Sequence, residues 1–131
     1  MREIPFNNLN TEDLNVFFIN TIGSLPYETL CVALLDKEHN VKAIIELESG
    51  SGNNVTNDLS DVFRCAVSYS CKRIVLCHNH PDGRVAPSDF DIIATKRAIK
   101  LLENNGIYLI EHIIVTDSEY SLLIKDYLTT L

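Results

Sequence analysis

Apolar positions along the chain switch between two spacings, and the switches divide it into alternating helices and strands. After an irregular lead-in over residues 1–9, with Pro5, Thr11 caps a short helix running to about Thr21. Glu12 and Asp13 lie in its first turn, Leu14, Phe17 and Phe18 form its apolar stripe, and Gly23 ends it. Residues 29–36, Thr-Leu-Cys-Val-Ala-Leu-Leu-Asp, are a continuous run of buried-strand type. Lys37 to Asn40 make a turn, and the return strand over 41–48 places Val41, Ala43, Ile45 and Leu47 on one face, so a hairpin is expected. A polar, glycine-rich loop over 49–57 leads to a helix over 58–70, striped by Leu59, Val62, Phe63, Ala66 and Val67. A second buried strand spans 74–78. A helix from Ser88 to about Asn104 offers Ile92, Ile93, Ala98, Ile99, Leu101 and Leu102 for burial and stops at Asn105-Gly106. Strands over 107–116 and 119–124, joined at Asp117-Ser118, form a second hairpin.

The chemistry concentrates between the second buried strand and the long helix. His78 and His80 leave the strand one residue apart, so alternation turns both imidazoles to one face and Asn79 to the other. A loop punctuated by Pro81, Gly83 and Pro87 follows. Ser88 stands at the helix N-cap with Asp91 three residues on, in the capping-box relation, which fixes Asp91 in the first turn across the loop from the histidines. Two neutral imidazoles and one carboxylate suit zinc and leave its fourth tetrahedral position for water, a catalytic rather than a structural arrangement. The plain alternative is two polar strand-end residues beside an ordinary helix cap, and the joint spacing argues against it.

The string His78-x-His80-Pro81, seven residues, then Ser88-x-x-Asp91 resembles the JAMM (MPN-plus) metalloprotease motif. The fuller strings HNHPDG, PSDFDI and EHIIV resemble the RadC branch of that superfamily, over roughly residues 25–125. The resemblance implies an α/β fold related to cytidine deaminase: a single three-layer domain with a mixed β-sheet flanked by helices. It divides the chain into an N-terminal arm, 1–24, and a RadC-like domain, 25–131, the arm either covering the sheet or serving a second subunit. It also implies one zinc per chain on His78, His80 and Asp91, Ser88 beside the metal-bound water, and a glutamate shortly before the first buried strand. Glu28 is the best match to that glutamate, with Glu46 and Glu48 as alternatives. The expected activity is hydrolysis of a peptide or isopeptide bond in a peptide or protein substrate, with Glu28 as general base and then general acid. The RadC label brings DNA repair with it, and with that a second class of reading, a scaffold with little turnover. The chain departs from the RadC pattern in the glycine-rich loop, where Ser51 and Asn57-Asp58-Leu59 replace a threonine and a Pro-Arg-Glu string. That bears on substrate preference, not on the metal residues.

Charge narrows the partners. At 131 residues the chain suits one domain, and its net charge of −7 opposes direct DNA binding, which needs a basic footprint. Lys96, Arg97 and Lys100, the compact basic group, read as a solvated helix face. No signal-peptide pattern opens the sequence and no apolar run reaches membrane-span length, so a cytoplasmic location is expected. Cys31, Cys65, Cys71 and Cys77 then read as free buried thiols, Cys77 facing away from His78. His112 reads as a core or hydrogen-bonded histidine with a supporting role toward the metal open to it, and His39 as a solvated turn residue. The glycine-rich loop lacks a P-loop lysine, the deaminase signature H-x-E with P-C-x-x-C is absent, and His78-Asn79-His80 cannot supply the separated positions of an HNH nuclease. The oligomeric state stays open, a homodimer included.

Overall fold

The computed structural model describes residues 1–49 and 59–128. Six strands form one mixed sheet: β1 (Arg2–Glu3), β2 (Thr29–Leu35), β3 (Val41–Ser49), β4 (Arg73–Asn79), β5 (Tyr108–Val115) and β6 (Tyr120–Leu122). Their spatial order is β1-β3-β2-β4-β5-β6. Three helices complete it: α1 (Leu14–Ile22), preceded by a 3-10 turn at Thr11–Asp13, then α2 (Leu59–Ser68) and α3 (Asp89–Glu103). Neighbouring strands run antiparallel except β4 and β5. A parallel pair needs a long crossover, and α3 is that crossover, so the chain leaving β4 must pass over one face of the sheet before returning.

The sheet's two faces carry separate cores. Leu30, Val32, Leu34, Ile74 and Leu76 face α2 and α3, where Val62, Ala66, Ala98 and Leu102 meet them. Cys31, Ala33, Leu35, Val75 and Cys77 face α1, which contributes Leu14, Phe18 and Ile22. The N-terminal helix therefore covers the sheet. All seven residues of β2 are buried, as its unbroken apolar run requires of a strand covered on both faces. The four thiols are free and buried.

Several elements depart from expectation. The lead-in contains β1, whose two residues pair with Glu46 and Ile45 of β3. The stretch expected as strand to residue 124 turns at its end into a short π-helical turn, Ile124–Leu128. There the Glu111 carboxylate accepts from the Ile124 and Lys125 amides (2.7 and 3.1 Å), taking donors that a continuing strand would have spent on a ladder. Gly23 follows α1 with right-handed φ, so it is not needed for a left-handed turn. It is needed for close approach, since a Cβ there would collide with the Thr116 and Ile19 carbonyl oxygens. On α3, Ile93 and Leu101 are exposed, and the buried stripe is Asp91, Ala94, Thr95, Ala98 and Leu102. Beyond Ser49, the glycine-rich loop lies outside the described residues.

A bulge in β5 sets the side-chain phase. Ile74 pairs with Leu109 but Val75 pairs with Glu111, so Ile110 is extra. Beyond it, Leu76 pairs with His112 and His78 with Ile114, which puts His112 on the α3 face beside His78.

Candidate metal centre

His78 is the sixth residue of β4 and 1% exposed; Asp91, in the first turn of α3, is 5% exposed. The helix start that holds Asp91 is a complete capping box: Ser88 Oγ accepts from the Asp91 amide, and Asp91 Oδ2 accepts from the Ser88 amide, both at 3.0 Å. His80 follows the strand end, its amide bonded to the Val115 carbonyl at 2.9 Å. Strand, loop and cap thus bring three residues from two elements together.

The donor atoms fit a single small cation. His78 Nε2 lies 3.0 Å from His80 Nε2 and 3.6 Å from Asp91 Oδ1, and His80 Nε2 lies 3.1 Å from Asp91 Oδ2. Ligands on a tetrahedral zinc, each about 2.0–2.1 Å from the ion, stand about 3.3 Å from one another. The two contacts to Asp91 use different carboxylate oxygens; taking one ligand atom from each residue, all three lie within 4.8 Å of one another, close enough for one ion to draw them in. Among the described residues, His78, His80 and Asp91 are the group of metal-ligating type whose donor atoms cluster this way. Two nitrogens and a carboxylate oxygen suit zinc or a similar borderline ion.

Supporting bonds aim the imidazoles. His80 Nδ1 donates to the Arg84 carbonyl at 2.7 Å, an acceptor with no proton to give, so the lone pair of the neutral ring sits on Nε2. His78 Nδ1 lies 2.7 Å from His112 Nε2, and His112 Nδ1 lies 2.8 Å from Thr95 Oγ1. With His78 donating along this chain, its Nε2 also turns a lone pair to the cluster. His112 must then stay neutral to accept, and burial, reinforced by the neighbouring His78, holds its pKa well below the ordinary imidazole value. Burial alone would raise the Asp91 pKa, but when an imidazole Nε2 carries a proton instead of facing a cation, its hydrogen bond and that of the Ser88 amide outweigh this and hold Asp91 far below the carboxylate range. Burial likewise works to lower the His80 pKa, yet Asp91, the Arg84 carbonyl and Glu28 raise it.

Beside the cluster opens a cleft of about 760 Å³, lined by Glu28, His80, Arg84, Ser88, Phe90 and Asp91 among others. Glu28, at the entrance to β2, therefore faces the same space as two members of the cluster and Ser88. The alternative Glu46 is bonded instead to the Arg2 guanidinium at the β1 edge, and the Glu48 side chain lies outside the described residues. Ser88 serves its cap through an oxygen lone pair, which leaves its hydroxyl proton for another acceptor. Thr95 was missed from the sequence, although it stands one helical turn after Asp91 and so on the same face. Asn79 was read only as pointing away.

A family model described as the RadC-like JAB domain matches residues 9–127. The chain belongs to the RadC-like JAB domain family. Among curated relatives, a UPF0758 protein of Latilactobacillus sakei is 35% identical over 78% of this chain and 46% of its own length. A UPF0758 protein of Enterococcus faecalis is 40% identical over 78% of this chain and 44% of its own length. A third, from Clostridioides difficile, is 29% identical over 91% of this chain and 51% of its own. The chain spans about half the length of the curated relatives it matches. The α/β architecture with a six-stranded mixed sheet is that expected of the family. Among the described residues, no helix is long and apolar enough to cross a membrane.

Proposed function

We propose that this RadC-like domain is a zinc-dependent hydrolase of peptide or isopeptide bonds. The observation that carries the reading is the convergence of His78, His80 and Asp91 at chelating distances beside a cleft that Glu28 and Ser88 also line. A zinc ion held by these three residues would supply a water acidified to a pKa of about 7 and a Lewis acid for the scissile carbonyl. Glu28 takes the nucleophile's proton and returns it to the leaving amine. The Ser88 hydroxyl, its lone pair already spent on the Asp91 amide, donates to the carbonyl oxygen as negative charge develops there. The cleft of about 760 Å³ lies directly beside the cluster, and the net charge of −7 disfavours a nucleic-acid backbone in it. A cytoplasmic protein or peptide is the substrate class we assign.

Metal analysis of recombinant protein purified without chelator tests the first half, with close to one zinc per chain expected and Asp91→Ala depleted of it. Metal-free wild-type protein would overturn the proposal. Glu28→Gln should keep its zinc and lose cleavage of peptide libraries read by mass spectrometry. If wild type cleaves nothing and the biological phenotype survives Glu28→Gln, the fold serves as a scaffold instead.

A further inference from the structure

Asn79 separates the two histidines in sequence and faces the opposite side of the sheet from His78. Its side chain is fully buried. One amide group reaches three backbone groups of the segment that enters β2. Oδ1 accepts from the Thr29 N–H at 2.7 Å, and Nδ2 donates to the Leu25 and Tyr27 carbonyls at 3.3 and 2.9 Å. The orientation of the amide is unambiguous, because carbonyls only accept and an N–H only donates. The three anchored residues bracket Glu28.

Leu25 packs on the α1-side core with its amide on the Ile22 carbonyl, and Thr29 is already part of β2, so the stretch in between is what the Asn79 amide ties down. Pro26, Tyr27 and Glu28 are exposed, so the backbone, rather than packing of the side chain, sets where the Glu28 carboxylate stands. Both histidines and Asn79 are consecutive on the same strand end. Asn79 therefore links the backbone on both sides of Glu28 directly to the strand end that carries His78. An aspartate could not replace it, since a carboxylate has no proton for the two carbonyls.

We infer that Asn79 is a positioning residue, which clamps Leu25 to Thr29 so that Glu28 stands over the His78, His80 and Asp91 cluster. The inference rests on Glu28 acting at that cluster, as proposed above.

The test uses the whole chain loaded with cobalt(II), whose visible absorption responds to what touches its open coordination position. Four proteins are compared: wild type, Glu28→Gln, Asn79→Ala and Val75→Ala. The last is a core truncation on the same face that lowers stability without touching the clamp. Asn79→Ala should bind cobalt as tightly as wild type, while its spectrum and its response to added acetohydroxamate move as those of Glu28→Gln do. Val75→Ala should match wild type. If Glu28→Gln changes the spectrum and Asn79→Ala does not, the clamp is only structural and the inference fails alone. If Glu28→Gln itself matches wild type, the role given to Glu28 fails and takes the inference with it. Loss of cobalt affinity in Asn79→Ala would place its action on the ligands and also overturn the inference. Should that variant not fold, Asn79→Ser, which keeps a hydroxyl for one carbonyl, is read by the same spectra and should shift part of the way.

Discussion

The two faces of β4 treat buried polarity in opposite ways. On the α3 side, His78, His112 and Thr95 are hydrogen-bonded side chain to side chain, and His78 also lies 3.6 Å from Asp91, so each buried polar group there has a side-chain partner. On the α1 side, the buried polar group of β4 is a neutral amide satisfied by backbone. The ionisable groups beside it are thiols, with Cys77 making only a long contact to the His78 carbonyl (4.0 Å). Burial dominates there: with a smaller push from Glu46 it takes Cys31 up to about 12, and it raises Cys77 well above the ordinary thiol value. One strand thus supports on one face a cluster whose donor atoms could hold a metal ion and on the other an apolar core.

The contrast breaks most visibly at His112. His112→Ala removes the acceptor that orients His78, and supporting bonds of this kind are worth about 10–100-fold in metal affinity. Competition titration of zinc against a chromophoric chelator should show a loss in that range. An unchanged affinity would mean that the buried chain from His78 to Thr95 is packing and nothing more.

The opposite face is tested by alkali. Cys31 has a folded pKa above its unfolded one, so its contribution is complete below the ordinary value of 9.0 and is lost as pH rises toward about 12. Across that window its share of the unfolding free energy should fall by about 1.4 kcal/mol per pH unit. Urea denaturation from pH 8 to 11 should therefore show a shallower decline for Cys31→Ala than for wild type. Equal slopes would mean that burial does not hold the Cys31 thiol above its ordinary value.

The smallest effect on stability belongs to Ser88→Ala. Losing the cap should cost about 1 kcal/mol in denaturant midpoint analysis, while turnover on any cleaved peptide should fall by about 100- to 1,000-fold if the hydroxyl donates to the reacting carbonyl. Parallel small losses in both would leave Ser88 with the cap alone.

Much of this was legible beforehand, for identifiable reasons. The hairpin of β2 and β3 shows in the unbroken apolar run of the first strand and the alternation of the second, and the Ser88 to Asp91 cap in a spacing that local hydrogen bonding dictates. Both depend on residues close in sequence. What was hidden depends on pairings across the fold. Two residues of β1 carry no pattern of their own. The exposed Ile93 and Leu101 could not be told from core residues, because α3 turns Asp91 and Thr95 inward toward the histidines instead. The phase of His112 was equally out of reach: simple alternation from Leu109 would send it to the other face, and the extra Ile110 reverses that. Asn79 was overlooked because its partners are 50 to 54 residues away and are backbone groups, which leave no mark in composition.

The capping box joins the carboxylate proposed to bind zinc to the first turn of a helix, and that would tie ion capture to helix fraying. Whenever the start of α3 unwinds, Asp91 leaves with it. Cation occupancy and the winding of that turn should then rise and fall as one equilibrium, each ion bound acting as a clasp on the helix end.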